Sequence, residues 1–142
     1  MEIIVYTQFD KHKNEILQNE IYQSINSRPT MVSNFKQLAK ILQQKISGDV
    51  LIVFFISSID ELDYLTLNNG LLFNNRFIFI LLNGNQVMVS KGLSLYPRYI
   101  AHMNHNFKDI SAVVKRIVQN SHINKKILQE NRVRKNHINT IH

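Results

Sequence analysis

Val50-Leu51-Ile52-Val53-Phe54-Phe55-Ile56 is apolar at every position. An alternating pattern would leave one face of a strand in water. A continuous one requires burial on both faces, as in a central parallel strand covered by helices. A second run of this kind, Phe77-Ile78-Phe79-Ile80-Leu81-Leu82, ends at Asn83-Gly84-Asn85. Both are far shorter than the roughly 20 apolar residues a helix needs to cross a bilayer, so no membrane partner is expected.

Working outward, Glu2 to Thr7 reads as a first strand, rich in Ile and Val. Asp10 can cap a helix with Leu17, Ile21 and Ile25 on one face. Asn26-Ser27-Arg28-Pro29 ends it, because Pro29 cannot continue a helix and restricts Arg28. Thr30-Met31-Val32 leaves room for a short second strand. Ser33 or Asn34 then caps a helix with Phe35, Leu38, Ala39, Leu42 and Ile46 on one stripe, closed by Ser47-Gly48-Asp49.

Beyond the decisive run, Ser58-Ile59-Asp60-Glu61 has the form of a capping box. The third helix is expected to run to about Asn69, with Gly70 as its stop. Residues 86–95 fit either a short fourth helix or a loop, since Gly92 weakens the helical reading. Tyr99-Ile100-Ala101-His102-Met103 is a fifth strand, with Pro97 just before it. Asn106 then caps the clearest helix, whose stripe is Phe107, Ile110, Val113, Val114, Ile117 and Val118. Strict alternation of strand and helix predicts one α/β domain, a doubly wound five-stranded parallel sheet with helices on both faces.

The chain of 142 residues suits a single domain, and 44% apolar with 19% charged residues suits a folded one. It has no cysteine, which removes disulfides, thiolate metal sites and thiol catalysis. That composition, with a first strand beginning at Glu2, fits a cytoplasmic protein without a signal peptide. The net charge of +7 is uneven. Residues 1–107 hold nine Lys/Arg and eight Asp/Glu, whereas residues 108–142 hold eight and two. The basic character therefore belongs to the C-terminal end.

Open parallel sheets bind ligands beyond the carboxyl ends of their strands. Here those ends are Thr7-Gln8-Phe9-Asp10, Ile56-Ser57-Ser58, Leu82-Asn83-Gly84-Asn85 and Met103-Asn104-His105-Asn106. The first turn lacks glycine and matches no dinucleotide fingerprint or phosphate-cradling loop, so no cofactor is expected. Asp10 could belong to a metal site, but a hard divalent ion needs several oxygen ligands and Asp10 reads as a helix cap. Ser57 and Ser58 with Glu61 could be a nucleophile and an acid, but the capping box accounts for the same residues. His102 and His105 could share a metal only on a helix, and they fall on a strand end and a loop.

At this point the chain resembles the receiver domains of response regulators over about residues 1–120. The resemblance implies the sheet order 2-1-3-4-5 shared with flavodoxin-like folds. It also implies an acidic pair after strand one, a phosphoacceptor Asp ending strand three, a Ser or Thr ending strand four and a Lys ending strand five. The sequence has Gln8 and Phe9, Ile56-Ser57, Leu82-Asn83 and His102-Met103 at those places, with Asp10 a late match to the acidic pair and Lys108 too far on. The chain thus resembles a degenerate pseudo-receiver lacking the phosphoacceptor.

Three functions are compatible with these residues. The leading one is a non-catalytic, unphosphorylated signalling and protein-interaction module that binds a protein partner or a second copy of itself. Its expected surface is Leu93, Leu95, Tyr96, Arg98 and Tyr99, more apolar and aromatic material than one edge strand needs. The second is a nucleic-acid-associated protein using Lys125, Lys126, Arg132, Arg134 and Lys135 in a basic extension, residues 121–142. No aromatic ring is interleaved with these cations, so such binding would be weak and salt-sensitive. The third is an enzyme on the same fold, disfavoured by the sparse rim carboxylates.

Overall fold

In the computed structural model, the described residues are 1–44, 50–72, 75–102 and 107–121. Five strands, β1 (Glu2–Tyr6), β2 (Thr30–Val32), β3 (Val50–Ile56), β4 (Arg76–Leu81) and β5 (Tyr99–His102), form one parallel sheet. Its order is β2-β1-β3-β4-β5, the flavodoxin-like order. The helices are α1 (Lys11–Ile25), α2 (Phe35–Gln43), α3 (Ile59–Leu67), α4 (Gln86–Leu93) and α5, residues 107–121.

Side-chain alternation along the strands divides the core in two. Ile4, Tyr6, Ile52, Phe54, Phe77 and Phe79 face α2, α3 and α4, which contribute Leu38, Leu62, Leu65 and Met88. Ile3, Val5, Leu51, Val53, Phe55, Ile78 and Ile80 face α1 and α5, which contribute Leu17, Ile21, Ile110 and Val114. Every residue of β3 is buried, as a strand covered on both faces must be. The expected stripe of α5 packs as read, with Phe107, Val113, Ile117 and Val118 flanking the buried pair.

Three caps follow the sequence. Asp10, Asn34 and Ser58 each accept from the backbone N–H three residues on, so Asn34 rather than Ser33 caps α2. Asn26 ends α1 at φ 55°, a left-handed conformation that Asn tolerates well. One expectation changes and one open alternative is settled. The third helix stops at Leu67 rather than near Asn69, and Asn69–Leu71 forms a separate 3-10 turn. The ambiguous segment is helical over Gln86–Leu93, capped by Asn85, whose side chain accepts from Met88 N–H at 2.8 Å.

Gly92 belongs to that helix for a packing reason. A Cβ there would lie 2.9 Å from Ile100 Cδ1 and 3.5 Å from Phe79 Cδ2. The glycine lets α4 lie closer to the sheet than a Cβ would allow without Ile100 moving aside. Ser47-Gly48-Asp49, Ile46 and Met103 to Asn106, with the expected Asn106 cap and His105, lie outside the described residues.

Candidate functional site

The sheet order reverses between β1 and β3, the topological switch point at which open α/β sheets bind ligands. The residues at that crevice are Tyr6, Thr7, Gln8 and Phe9 beyond β1, and Ser57, Ser58 and Glu61 beyond β3. Thr7 turns the chain: its N–H reaches Val32 O at 2.9 Å, and its hydroxyl accepts from Phe9 N–H at 3.0 Å. Asn14 Nδ2 donates to Phe9 O at 3.1 Å and fixes the turn against α1.

Glu61 is the one carboxylate buried here, 7% exposed. It sits in the first turn of α3, where the helix dipole favours a negative charge. Its Oε1 accepts from Ser57 N–H at 3.0 Å, from the Ser57 hydroxyl at 2.7 Å and from the Ser58 hydroxyl at 3.5 Å. Glu61 N–H in turn donates to Ser58 Oγ at 3.4 Å. The box is therefore shifted by one residue from its expected form: the carboxylate reaches back to Ser57 rather than to the backbone of the cap. Oε2 is buried without a hydrogen-bond partner.

Tyr6 stands beside this carboxylate. Burial first, and then the negative charge of Glu61, push its phenol well above the ordinary tyrosine range, while Gln8 pulls the other way. Gln8 Nε2 donates to the Tyr6 hydroxyl at 3.2 Å. The Tyr6 ring is stacked on Phe35 at 4.5 Å, and Phe35 is stacked on Tyr64 at 4.5 Å, both nearly parallel. On the other side of the sheet Phe9 packs on Phe55 and Phe107 at 5.2 and 6.0 Å, with Lys13 over its ring. Aromatic side chains thus fill both flanks of the end of β1, where a ligand would otherwise lie.

No protein-family model matches the chain, and no curated protein matches it. Solved structures do. A protein from Burkholderia pseudomallei described as pilus assembly-related superposes with a TM-score of 0.61 at 10% identity, covering 82% of this chain and 87% of that one. A protein from Burkholderia thailandensis described as the pilus assembly protein cpaE superposes with a TM-score of 0.56 at 13% identity, covering 84% and 99%. The likeness is one of fold.

Asp10 Oδ1 accepts from Lys13 N–H at 2.8 Å and caps α1, as read from the sequence. Ser57 follows β3 directly and is tied to Glu61. Gly84, after β4, lies against the ring of His102, with a Cβ there only 2.5 Å from Nδ1. Among the described residues no three His, Asp or Glu side chains converge on a point that could hold a metal.

The expected surface residues lie along one turn. Leu93 ends α4 and is 52% exposed, Tyr96 is 87% exposed and Tyr99 is 44% exposed. Leu95 is half-buried against the core, and Arg98 is exposed with its backbone N–H held by Phe77 O at 2.8 Å. Lys125, Lys126, Arg132, Arg134 and Lys135 lie outside the described residues. The sequence offers Glu61 as a helix cap, or as an acid beside Ser57 and Ser58, and gives no sign of Tyr6 beside it. The signal of Glu61 was in plain view: a Glu at the third position of a capping box that follows a Ser-Ser pair. The cap pattern does not reveal that the side chain is buried.

Proposed function

We propose that this chain is a receiver-like protein-interaction module that works without phosphoryl-transfer chemistry, through the turn between α4 and β5. The observation that carries this reading is Tyr96. Its ring is 87% exposed, and its backbone stands at φ 58°. For a non-glycine residue that conformation costs about 1–2 kcal/mol. Pro97 follows directly and further narrows the conformations open to Tyr96. The Tyr96 backbone N–H donates to Leu93 O at 3.0 Å and closes the end of α4, but the bare aromatic ring adds nothing to that closure, and strain of this kind gathers at functional positions. Leu93 and Tyr99 extend the same surface with apolar area, and aromatic anchors of this type dominate binding energy at interfaces.

The rim supports the other half of the reading. A phosphorylated receiver needs a free carboxylate at the end of β3 and others to hold a divalent ion. Here Ser57 stands at that place, Asp10 is engaged as a cap, and Glu61 is buried and bonded. Fold likeness to the two Burkholderia proteins supports the architecture and leaves the choice of partner to this surface.

The test uses two variants of opposite structural effect. Tyr96→Ala with Tyr99→Ala is expected to weaken self-association or partner capture with the thermal melt unchanged. Tyr96→Gly is expected to weaken the same association while keeping stability or raising it by up to about 1 kcal/mol, because glycine accepts the left-handed backbone. A strict monomer at high concentration by light scattering, together with a partner set unaffected by either variant, would remove the proposal.

A further inference from the structure

A cavity of about 270 Å³ opens at the amino ends of β4 and β5, opposite the rim discussed above. It is lined by Arg76, Arg98, Ile117, Asn120 and Ser121. Arg76 is the first residue of β4, and Arg98 precedes β5 by one residue. Parallel pairing of Ile78 with Tyr99 sets the two arginines diagonally across adjacent strands. Arg76 Nη1 donates to Ser121 Oγ, and Ser121 itself is buried. The arginine is thereby anchored to α5 by one of its five donors. Because that serine oxygen accepts from Arg76, its own O–H is left to donate elsewhere.

Charge makes the cavity unusual. Neither arginine forms an ion pair among the described residues, where the pair seen is Lys91–Asp63. Arg98 uses only its backbone N–H, leaving its guanidinium without a hydrogen bond among those residues. Two guanidiniums with no carboxylate partner among the described residues, beside one cavity, repel each other, and an anion between them reverses that cost. Their planar forks match the oxygens of a tetrahedral oxyanion in pairs. Asn120 and Ser121 add neutral donors, and Ile117 supplies an apolar wall.

We infer that this cavity binds a small phosphate monoester, the phosphate held by Arg76 and Arg98 and its organic part lying on Ile117. The volume limits the ligand to a few non-hydrogen atoms beyond the phosphate, since cavities for drug-sized ligands begin at about 300 Å³. The site is separate from the α4–β5 turn and independent of the reading above.

The experiment titrates the full chain with inorganic phosphate, with glycerol 3-phosphate and with a short 5′-phosphorylated oligonucleotide, at constant near-physiological ionic strength, followed by amide and guanidinium NMR. Saturable shifts at Arg76, Arg98 and Ser121 are expected, with glycerol 3-phosphate bound at least as tightly as inorganic phosphate. Arg98→Gln is expected to weaken binding about tenfold or more, the loss of a charge-assisted pair. Lys91→Gln, an exposed cation elsewhere, is expected to change nothing. Absence of saturation at tens of millimolar phosphate, or binding that survives Arg98→Gln, overturns the inference. An Arg98-dependent preference for the oligonucleotide over glycerol 3-phosphate also overturns it, in favour of a nucleic-acid contact.

Discussion

Tyr6 concentrates the chemistry of the switch point into one titratable group. Its phenol is raised by burial and by Glu61, so the folded protein holds the proton at a pH where the unfolded chain releases it. Stability from this group is complete below the ordinary phenol value near pH 10 and falls as pH rises beyond it. Denaturant midpoints measured from about pH 9 to 11 should therefore decline, and Tyr6→Phe should flatten the decline. An unchanged slope in the variant would mean that Tyr6 has no part in it. The sequence announced Glu61 through the Ser58 cap, and Asp10 through its place before α1, because caps depend on local spacing. It did not announce that Glu61 meets Tyr6, because that contact needs α3 laid back over β1, which lies more than fifty residues earlier.

At the scale of elements, β3 falls where its composition places it, since an all-apolar run has few places to go. Segment 86–95 was undecidable because Gly92 costs a helix roughly 1 kcal/mol relative to alanine, enough to blur a local reading. Packing resolves it: the helix trades that cost for close contact with Ile100 and Phe79. Gly92→Val should accordingly destabilise the fold by about 1–3 kcal/mol through overpacking, although it fills no exposed space. Chemical denaturation checks this. Gly92→Ala should cost less, because the Cδ1 methyl of Ile100 is the end of a flexible side chain and can turn aside. A valine variant as stable as the parent would show that the close approach of α4 is not needed. The end of α3 was misplaced for a simpler reason: Gly70 was read as the stop, but Asn68 already ends the α-helix and the glycine falls in a 3-10 turn.

For the whole molecule, alternation of strand and helix was enough to read the sheet, because right-handed crossovers leave few ways to arrange five parallel strands. Function was less legible, since this architecture serves many purposes and the rim offers little beyond amides and hydroxyls. The α1–α5 face also bears on where the domain ends. Ser121 is buried and bonded to Arg76, so a cut after Asn120 removes a packed residue. A chain ending at Ser121 is expected to keep the cooperative melt of the full chain. Any affinity of the full chain for nucleic acid should disappear with residues 122–142 and fall steeply with salt. A large loss of stability on truncation would instead mean that the extension packs on the domain.

The proposed receiver-like module without phosphoryl-transfer chemistry has a direct covalent test. The full chain is incubated with acetyl phosphate and Mg²⁺, and its intact mass is measured, with beryllofluoride titrated in parallel by NMR. The account predicts unmodified mass and no clustered shifts around Asp10 and Ser57. A stoichiometric phospho-adduct, or saturable beryllofluoride shifts at those residues, would contradict it.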